Sequence, residues 1–205
     1  MKIAILALQG AFIEHQQMLQ HLGVETVLVR NLDDWAAYAE TTASGTAEKA
    51  GGLIIPGGES TAMLRIMRDE HLLEPLRSAI AAGLPVFGTC AGMILLARSV
   101  EGEDQAARLP ASGRIATMDI TVRRNAYGRQ SGSFYTESNF AGIGRVPMTF
   151  IRAPYILDVG PSVEILATVD GHIVAARQGS QLACSFHPEL NDDTRIHEYF
   201  LKMMG

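Results

Sequence analysis

Residues 84–96 read LPVFGTCAGMILL, an apolar run that passes through a turn of small residues into a second apolar run. The first four residues are typical of a buried strand, and the last four are typical of a helix. Gly88 and Gly92 lie two residues before and two residues after Cys90, and glycine tolerates the strained backbone of a sharp strand-to-helix turn. The stretch therefore predicts a strand, a tight turn with Cys90 at its tip, and a helix.

Strands and helices alternate through the first half of the chain. Besides Leu84 to Phe87, strands are predicted over Lys2 to Leu8, Val24 to Arg30 and Gly52 to Ile55. Helices are predicted over Ala11 to Leu22, Ser60 to Asp69 and Leu72 to Ala82. This alternation is typical of an α/β fold, with a mostly parallel sheet flanked by helices on both faces.

The second half has a different pattern. Short strands are predicted over Val163 to Val169, His172 to Gln178 and Leu182 to Phe186, and the turn residues between them are typical of antiparallel hairpins. A closing helix is predicted from Asp192 to Met203. The segment from Asp34 to Ala50, rich in small and polar residues, is predicted to be a surface insertion, with a flexible loop as the simpler alternative.

Composition limits the classes of function. A chain of 205 residues with 47% hydrophobic content fits one α/β domain, so we expect residues 1–205 to form a single domain. The net charge of -5, with basic residues scattered among acidic ones, argues against nucleic acid or membrane partners. The two cysteines provide no disulfide framework, which favours a reducing, cytoplasmic location.

Cys90 has the sequence context of a nucleophile. A thiol at the tip of such a turn lies at a helix N-terminus, where unpaired N–H groups favour the thiolate form. The alternative is a buried structural cysteine, which is common for free thiols. The symmetric glycine spacing favours the nucleophile.

A base for this nucleophile is predicted in the segment Ser185-Phe186-His187-Pro188-Glu189, which follows a predicted strand. Residues two apart in an extended chain point the same way, so Glu189 is placed to orient the His187 ring. Cys184 and His187 also have a Cys-x-x-His spacing, but a metal site needs more ligands than this pair, and we expect no metal ion.

Together, Gly88 to Gly92 and His187 to Glu189 resemble the Cys-His-Glu triad of class I glutamine amidotransferases. Five further stretches narrow the match: LQGA with Glu14-His15, PGGEST at 56–61, RNAYGRQ at 124–130, FIRAP at 150–154 and FHPEL at 186–190. In order and across nearly the whole chain, they resemble the glutaminase subunits of pyridoxal 5′-phosphate synthase. The resemblance implies a flavodoxin-like three-layer fold.

The resemblance also implies roles for residues. Cys90, His187 and Glu189 are expected to form the catalytic triad, with L-glutamine as substrate and, as partner in a hetero-oligomeric complex, the synthase subunit. No cofactor is implied. The expected glutamine-binding residues are Gly58, Glu59, Ser60, Arg124, Ile151 and Arg152, and the expected oxyanion-hole residues are Gly57, Gly58 and Ala91.

Several alternatives stay open at this point. The strand-to-helix turn with cysteine at its tip, called a nucleophile elbow, also occurs in other amidotransferase subunits, such as that of imidazole glycerol phosphate synthase. It occurs as well in cysteine peptidases or chaperones of related fold. A non-catalytic binding module is disfavoured by the intact triad. For Ser60, the alternative to glutamine binding is a structural role as the N-cap of the helix predicted over Ser60 to Asp69. Glu14 and His15 are expected at the solvated end of the first helix, where this region together with Gln9 is a weaker candidate for sensing the synthase.

Overall fold

The structure, a computed structural model, describes residues 1–43, 51–102, 113–124 and 132–205. In these ranges the strands are β1 (Lys2–Leu6), β2 (Glu25–Val29), β3 (Gly52–Ile55), β4 (Val86–Thr89), β5 (Ala97–Glu101), β6 (Met118–Arg123), β7 (Ser133–Phe140), β8 (Gly144–Ile151), β9 (Tyr155–Val159), β10 (Glu164–Val169), β11 (His172–Gln178) and β12 (Gln181–Cys184). The helices are α1 (Phe12–His21), α2 (Leu32–Ala43), α3 (Ser60–Asp69), α4 (Leu73–Ala81), α5 (Ala91–Leu96) and α6 (Arg195–Lys202).

Ten of the described strands form one sheet in the order β2-β1-β3-β4-β12-β11-β9-β6-β5, with β10 paired to β11. The pairs among β2, β1, β3, β4 and β12 are all parallel. The hairpins β10–β11 and β11–β12 are antiparallel, as the turn residues predict. The parallel half therefore carries the ends of β1, β3, β4 and β12 to one edge, where α/β folds place their ligands.

Two apolar clusters pack on the sheet. One contains Trp35 and Tyr38 of α2 together with buried residues of α3, α4 and α5. The other contains Leu19 of α1, Phe200 of α6 and the inward side of the β7–β8 hairpin, which is a separate two-stranded sheet. Helices on both faces of a largely parallel sheet confirm the predicted three-layer α/β architecture.

The segment from Asp34 to Ala50 was the main error of the sequence prediction. Its first part is not a loop, because α2 continues to Ala43; residues 44–50 lie outside the described ranges. The Asn31 side chain accepts a hydrogen bond from the Asp34 N–H at 2.9 Å, which caps the helix, and Trp35 and Tyr38 anchor it in the core. The described helices include none with the length and apolar character to span a membrane.

Candidate active site

Cys90 lies between β4 and α5, in the turn that the sequence predicts. Its backbone angles, φ 47° and ψ −100°, fall in a region that side chains rarely adopt. The Cys90 N–H donates to the Cys184 carbonyl of β12 at 2.8 Å, which ties the turn to the sheet. The two glycines are needed for space: a Cβ on Gly92 would lie 2.0 Å from the Ile55 carbonyl oxygen, and one on Gly88 would lie 2.7 Å from the Gly92 backbone.

His187 and Glu189 follow β12 and meet as predicted. His187 Nδ1 lies 2.7 Å from Glu189 Oε1, and the His187 N–H donates to the Thr149 carbonyl of β8 at 2.8 Å. The conformation differs from the expected extended chain, because Pro188–Leu190 forms a single 3-10 turn. This turn folds the Glu189 side chain beneath the imidazole, where it is fully buried.

The charges of the triad are mutually supportive. Burial opposes the charged form of His187, but hydrogen bonds to Cys90 and Glu189 outweigh it and raise the pKa of His187 to about 10. Burial likewise opposes ionisation of Glu189, yet nearby His15 and His187 hold its pKa below the usual value. The arrangement therefore favours a protonated His187 paired with an ionised Glu189. Cys90 Sγ lies 3.9 Å from the Ile151 carbonyl oxygen.

A cavity of about 520 Å³ opens over Cys90 and His187. All six of the residues expected to bind glutamine line it: Gly58, Glu59, Ser60, Arg124, Ile151 and Arg152. Of the expected oxyanion-hole residues, Gly57 and Gly58 line the cavity, while Ala91 is buried at the start of α5. Glu189 lies behind His187 rather than in the wall. The rest of the RNAYGRQ motif, residues 125–130, lies outside the described ranges.

Glu59 connects the cavity wall to α3. Its carboxylate accepts hydrogen bonds from the N–H groups of Thr61 at 3.0 Å and Ala62 at 2.6 Å, so Glu59 is the N-cap and Ser60 is the first helical residue. The alternative with Ser60 as N-cap was therefore wrong by one residue. Arg124 also reaches Glu59 Oε1, at 3.2 Å, which places the guanidinium in the wall.

The loop after β1 forms the other side of the cavity, although its residues were not among those expected to bind glutamine. Gln9, Gly10 and Ala11 line it, as does Ile94 of α5. Gln9 Oε1 accepts a hydrogen bond from the Glu59 N–H at 2.9 Å, and the Ala11 N–H donates to the Gly57 carbonyl at 3.3 Å. The available signal was topological, because the loops that follow parallel strands such as β1 and β3 lie at the same edge of the sheet.

His15 was misplaced by the sequence prediction. Instead of lying at the solvated end of α1, its side chain is completely buried, whereas Glu14 is half-buried. Helical periodicity gives α1 one inward face, and His15 and Leu19, four residues apart, occupy it. His15 Nε2 lies 3.4 Å from Glu189 Oε2, directly behind the triad.

Comparisons with known proteins agree with this site. A PdxT subunit of pyridoxal 5′-phosphate synthase from Streptococcus pneumoniae strain CGSP14 is 54% identical over 203 residues, which cover 99% of this chain and 97% of that protein. A crystal structure of a glutamine amidotransferase superposes with a TM-score of 0.84 at 39% identity, covering 99% of this chain and 98% of that one.

A more distant structure, that of PurLQS from Thermotoga maritima, has a TM-score of 0.60 at 12% identity and covers 100% of this chain and 99% of that one. At that identity it supports the fold alone. The model of the SNO glutamine amidotransferase family matches residues 5–205. With this match and a 54% identical relative over nearly its whole length, the chain belongs to the SNO glutamine amidotransferase family.

Proposed function

We propose that this chain is the glutaminase subunit of a pyridoxal 5′-phosphate synthase, which hydrolyses L-glutamine and delivers the ammonia to a synthase subunit. The observation that carries the proposal is the cavity, in which a strained Cys90 at an elbow faces a His187 held by a buried carboxylate. Family membership favours this reaction over that of a peptidase or chaperone of related fold.

The chemistry follows from the three side chains. Cys90 Sγ attacks the carbonyl carbon of the glutamine side-chain amide, and protonated His187 gives its proton to the departing ammonia, leaving a thioester. His187 then removes a proton from water, which attacks the thioester and releases glutamate and the thiolate. Glu189 keeps the ring oriented through both steps. Overall, glutamine and water give glutamate and ammonia.

The cavity wall is suited to glutamine. We propose that Arg124 and Arg152 attract the substrate α-carboxylate, because a guanidinium presents several donors to a carboxylate. Glu59 and the Ile151 carbonyl are the acceptors available to the α-ammonium group. The Glu59 carboxylate is suited to this role, since burial is outweighed by the Thr61 and Ala62 N–H groups and Arg124, which keep its pKa low.

Regulation is proposed to act on the oxyanion hole. Gly57, Gly58 and Ala91 supply the backbone N–H groups near the developing negative charge. The Gly57 carbonyl accepts from Ala11, so the orientation of the peptide between Gly57 and Gly58 depends on the loop after β1. A synthase contact near Gln9 would turn this peptide, and the glutaminase without its synthase would be slow.

The setting proposed for the enzyme is a single domain in the cytoplasm. The two apolar clusters share one sheet, which argues for one folding unit. The partner is a synthase subunit in a hetero-oligomer, because ammonia is useful only when an acceptor receives it before protonation.

The proposal is tested by incubating the chain with glutamine, alone and with a pyridoxal 5′-phosphate synthase subunit, and measuring glutamate. We expect glutamate formation to rise in the presence of the synthase and to be abolished in Cys90→Ala. The matched control is Cys184→Ala, which removes the other thiol and is expected to retain activity. Wild-type turnover by folded Cys90→Ala would contradict the triad assignment, and equal rates with and without synthase would contradict the switch.

A further inference from the structure

A second buried histidine lies behind the triad carboxylate. One carboxylate oxygen of Glu189, Oε1, holds His187. Near the other oxygen, Oε2, lies the Nε2 atom of His15, at 3.4 Å, and the same Nε2 atom lies 3.1 Å from the Thr89 hydroxyl oxygen. Oε2 is buried and makes no direct hydrogen bond to any described residue. His15 is therefore the side chain from α1 that supports this oxygen.

The position of the His15 proton follows from its neighbours. Burial dominates at both His15 and His197 and lowers the pKa of each, so both rings are neutral at neutral pH and each carries one N–H. His15 Nε2 faces the carboxylate and hydroxyl oxygens, two acceptors, and is the atom that carries the proton. His15 Nδ1 is then an acceptor.

His197 of α6 completes the arrangement. Its Nε2 atom lies 2.9 Å from His15 Nδ1, so it must be the donor of that hydrogen bond. His197 Nδ1 is then unprotonated, which agrees with its lack of a hydrogen-bond partner in the described ranges, because this tautomer leaves neither histidine with an N–H that has no acceptor. One consistent set of tautomers therefore runs from His197 through His15 to Glu189.

We propose that His15 is a positioning residue: its Nε2–H donates to Thr89, its contact with Glu189 Oε2 holds the triad carboxylate against His187, and His197 fixes the tautomer. The inference rests on the proposed glutaminase function. It adds two residues, from the first and last helices, to the support of the triad.

Support from His15 affects how the triad responds to pH. Four groups face Glu189 from the elements around it: His187 on its own turn, His15 from α1, Thr89 at the end of β4 and Cys184 from β12. Three further groups act on Glu189 indirectly. His197 and Glu14 interact with His15, and Cys90 interacts with His187. Loss of the His15 donor removes a charge-assisted interaction from a buried carboxylate, which raises the pKa of Glu189. Once Glu189 is protonated it no longer supports protonated His187, so without His15 this support is lost at a higher pH on acidification, and alkylation of Cys90 slows there.

The test measures the rate at which iodoacetamide alkylates Cys90 between pH 5 and 9, with the site located by mass spectrometry. In His15→Leu we expect the acid limb to move to higher pH by about one to two units, the shift that corresponds to one hydrogen bond to a charged group. His15→Gln, whose amide N–H reaches the place of Nε2, should recover most of the parental profile. Leu19→Ala, on the same buried face of α1, is the matched control and should coincide with the parent.

The proposal is overturned if His15→Leu follows the parental profile, or if Leu19→Ala shifts the acid limb as far as His15→Leu. A second measurement needs no variant. In the unaltered protein at pH 7.5, the 15N chemical shifts of the histidine rings should show a protonated Nε2 and an unprotonated Nδ1 on both His15 and His197. A protonated Nδ1 on His15 would overturn the proposal.

Neither readout depends on glutamine turnover. If the chain and its synthase form no glutamate while the alkylation profile shifts as expected, the proposed function fails and the positioning role of His15 stands. If glutamate forms in a Cys90-dependent way and the profile does not shift, the positioning role fails and the function stands.

Discussion

Cys90 occupies a left-handed backbone conformation that costs of the order of 1–3 kcal/mol and persists only where the surroundings impose it. In this protein the conformation is maintained by the hydrogen bond from the Cys90 N–H to the Cys184 carbonyl and by Gly88 and Gly92, which are packed without space for a Cβ. The strain raises the thiol above the sheet edge and into the cavity that His187 also lines. The backbone conformation of Cys90 therefore determines where its reactive sulfur atom lies.

Arg124 provides a test of the proposed glutamine pocket. Arg124→Ala removes the guanidinium from the cavity wall, and we expect kcat/KM for glutamine to fall about 10-fold or more, the size of a lost charge-assisted contact. The measurement is steady-state glutamate formation in the complex. Arg65→Ala is the matched control, because the Arg65 side chain is 84% exposed on α3 and faces away into solvent. The same kinetics in both variants would exclude Arg124 from the pocket.

Residues differ in how far the sequence reveals them. Cys90, His187 and Glu189 could be predicted because short motifs with fixed spacing identify them. His15 could not, because its burial depends on contact with His197, 182 residues away, and a single histidine near a helix start carries no signal of depth. The inward position of His15 can be predicted only when the buried face of α1, which also carries Leu19, is known.

The element on which the proposed regulation would act is the loop between β3 and α3. Gly57 packs directly on the triad, since a Cβ there would lie 2.2 Å from His187 Cε1. A Cβ on Gly58 would instead meet Gln9 Oε1 and Met63 Sδ at 3.2 Å, contacts that small shifts relieve. Gly58 is therefore the position at which peptide mobility can be restricted without disrupting His187.

We expect Gly58→Ala to lower glutaminase activity in the complex far more than it weakens synthase binding. The added methyl group narrows the conformations open to the Gly57–Gly58 peptide, and one misplaced oxyanion donor is worth about 10²–10³ in kcat. Glutamate formation at saturating synthase gives the activity, and titration of the variant with synthase gives the affinity. Equal losses in both, or loss of binding alone, would count against a peptide switch.

Elements also differ in predictability. The strand β3 and the helix α3 have the predicted bounds, because an unbroken apolar run defines the strand and the Pro56-Gly57-Gly58 turn separates it from the helix. The helix α2 was missed although Asn31 and two acidic residues in its first turn are N-terminal signals, since the small residues that follow were given more weight. The strands β5 to β9 had no prediction. The pairing of β6 with β9 depends on a partner distant in sequence, whereas β7 and β8 form a local hairpin that the sequence prediction did not include.

Across the whole molecule, the parallel sheet brings together residues separated by most of the chain length. The cavity is lined by the loop after β1, the loop after β3, the elbow after β4 and His187 after β12. The α1 and α6 helices cover the opposite side of the triad carboxylate through His15 and His197. The fold and the approximate site were therefore predictable from sequence, whereas the buried support behind the site needed the three-dimensional packing.

The two buried neutral histidines predict how stability depends on pH. Their pKa values are lowered in the folded state, so below about pH 6.5 the unfolded chain binds protons that the folded chain does not. The free energy of unfolding should fall as pH decreases from 6.5 towards 4.5, by up to about 1.4 kcal/mol per pH unit for each histidine. Carboxylates such as Glu189, whose pKa is also lowered, contribute only below about pH 4.5.

Urea unfolding at pH 7.5, 6.5 and 5.5 measures this dependence. The raised pKa of His187 gives a contribution that is constant below pH 6.5 and is lost progressively from pH 6.5 towards pH 10, so the effect of the two neutral histidines is read between pH 6.5 and 5.5. His197→Leu should flatten the decline. A free energy of unfolding that stays constant from pH 6.5 to 5.5 would show that His15 and His197 are not held neutral.

The central claim, that Cys90 attacks glutamine, is tested most directly by a glutamine-mimicking electrophile and mass-spectrometric location of the label. Cys184 provides an internal control, because it is fully buried and its pKa is raised well above the ordinary value, chiefly by burial. We expect the label on Cys90, with glutamine protecting it from modification. A label mainly on Cys184, or labelling of Cys90 that glutamine does not slow, would contradict the assignment.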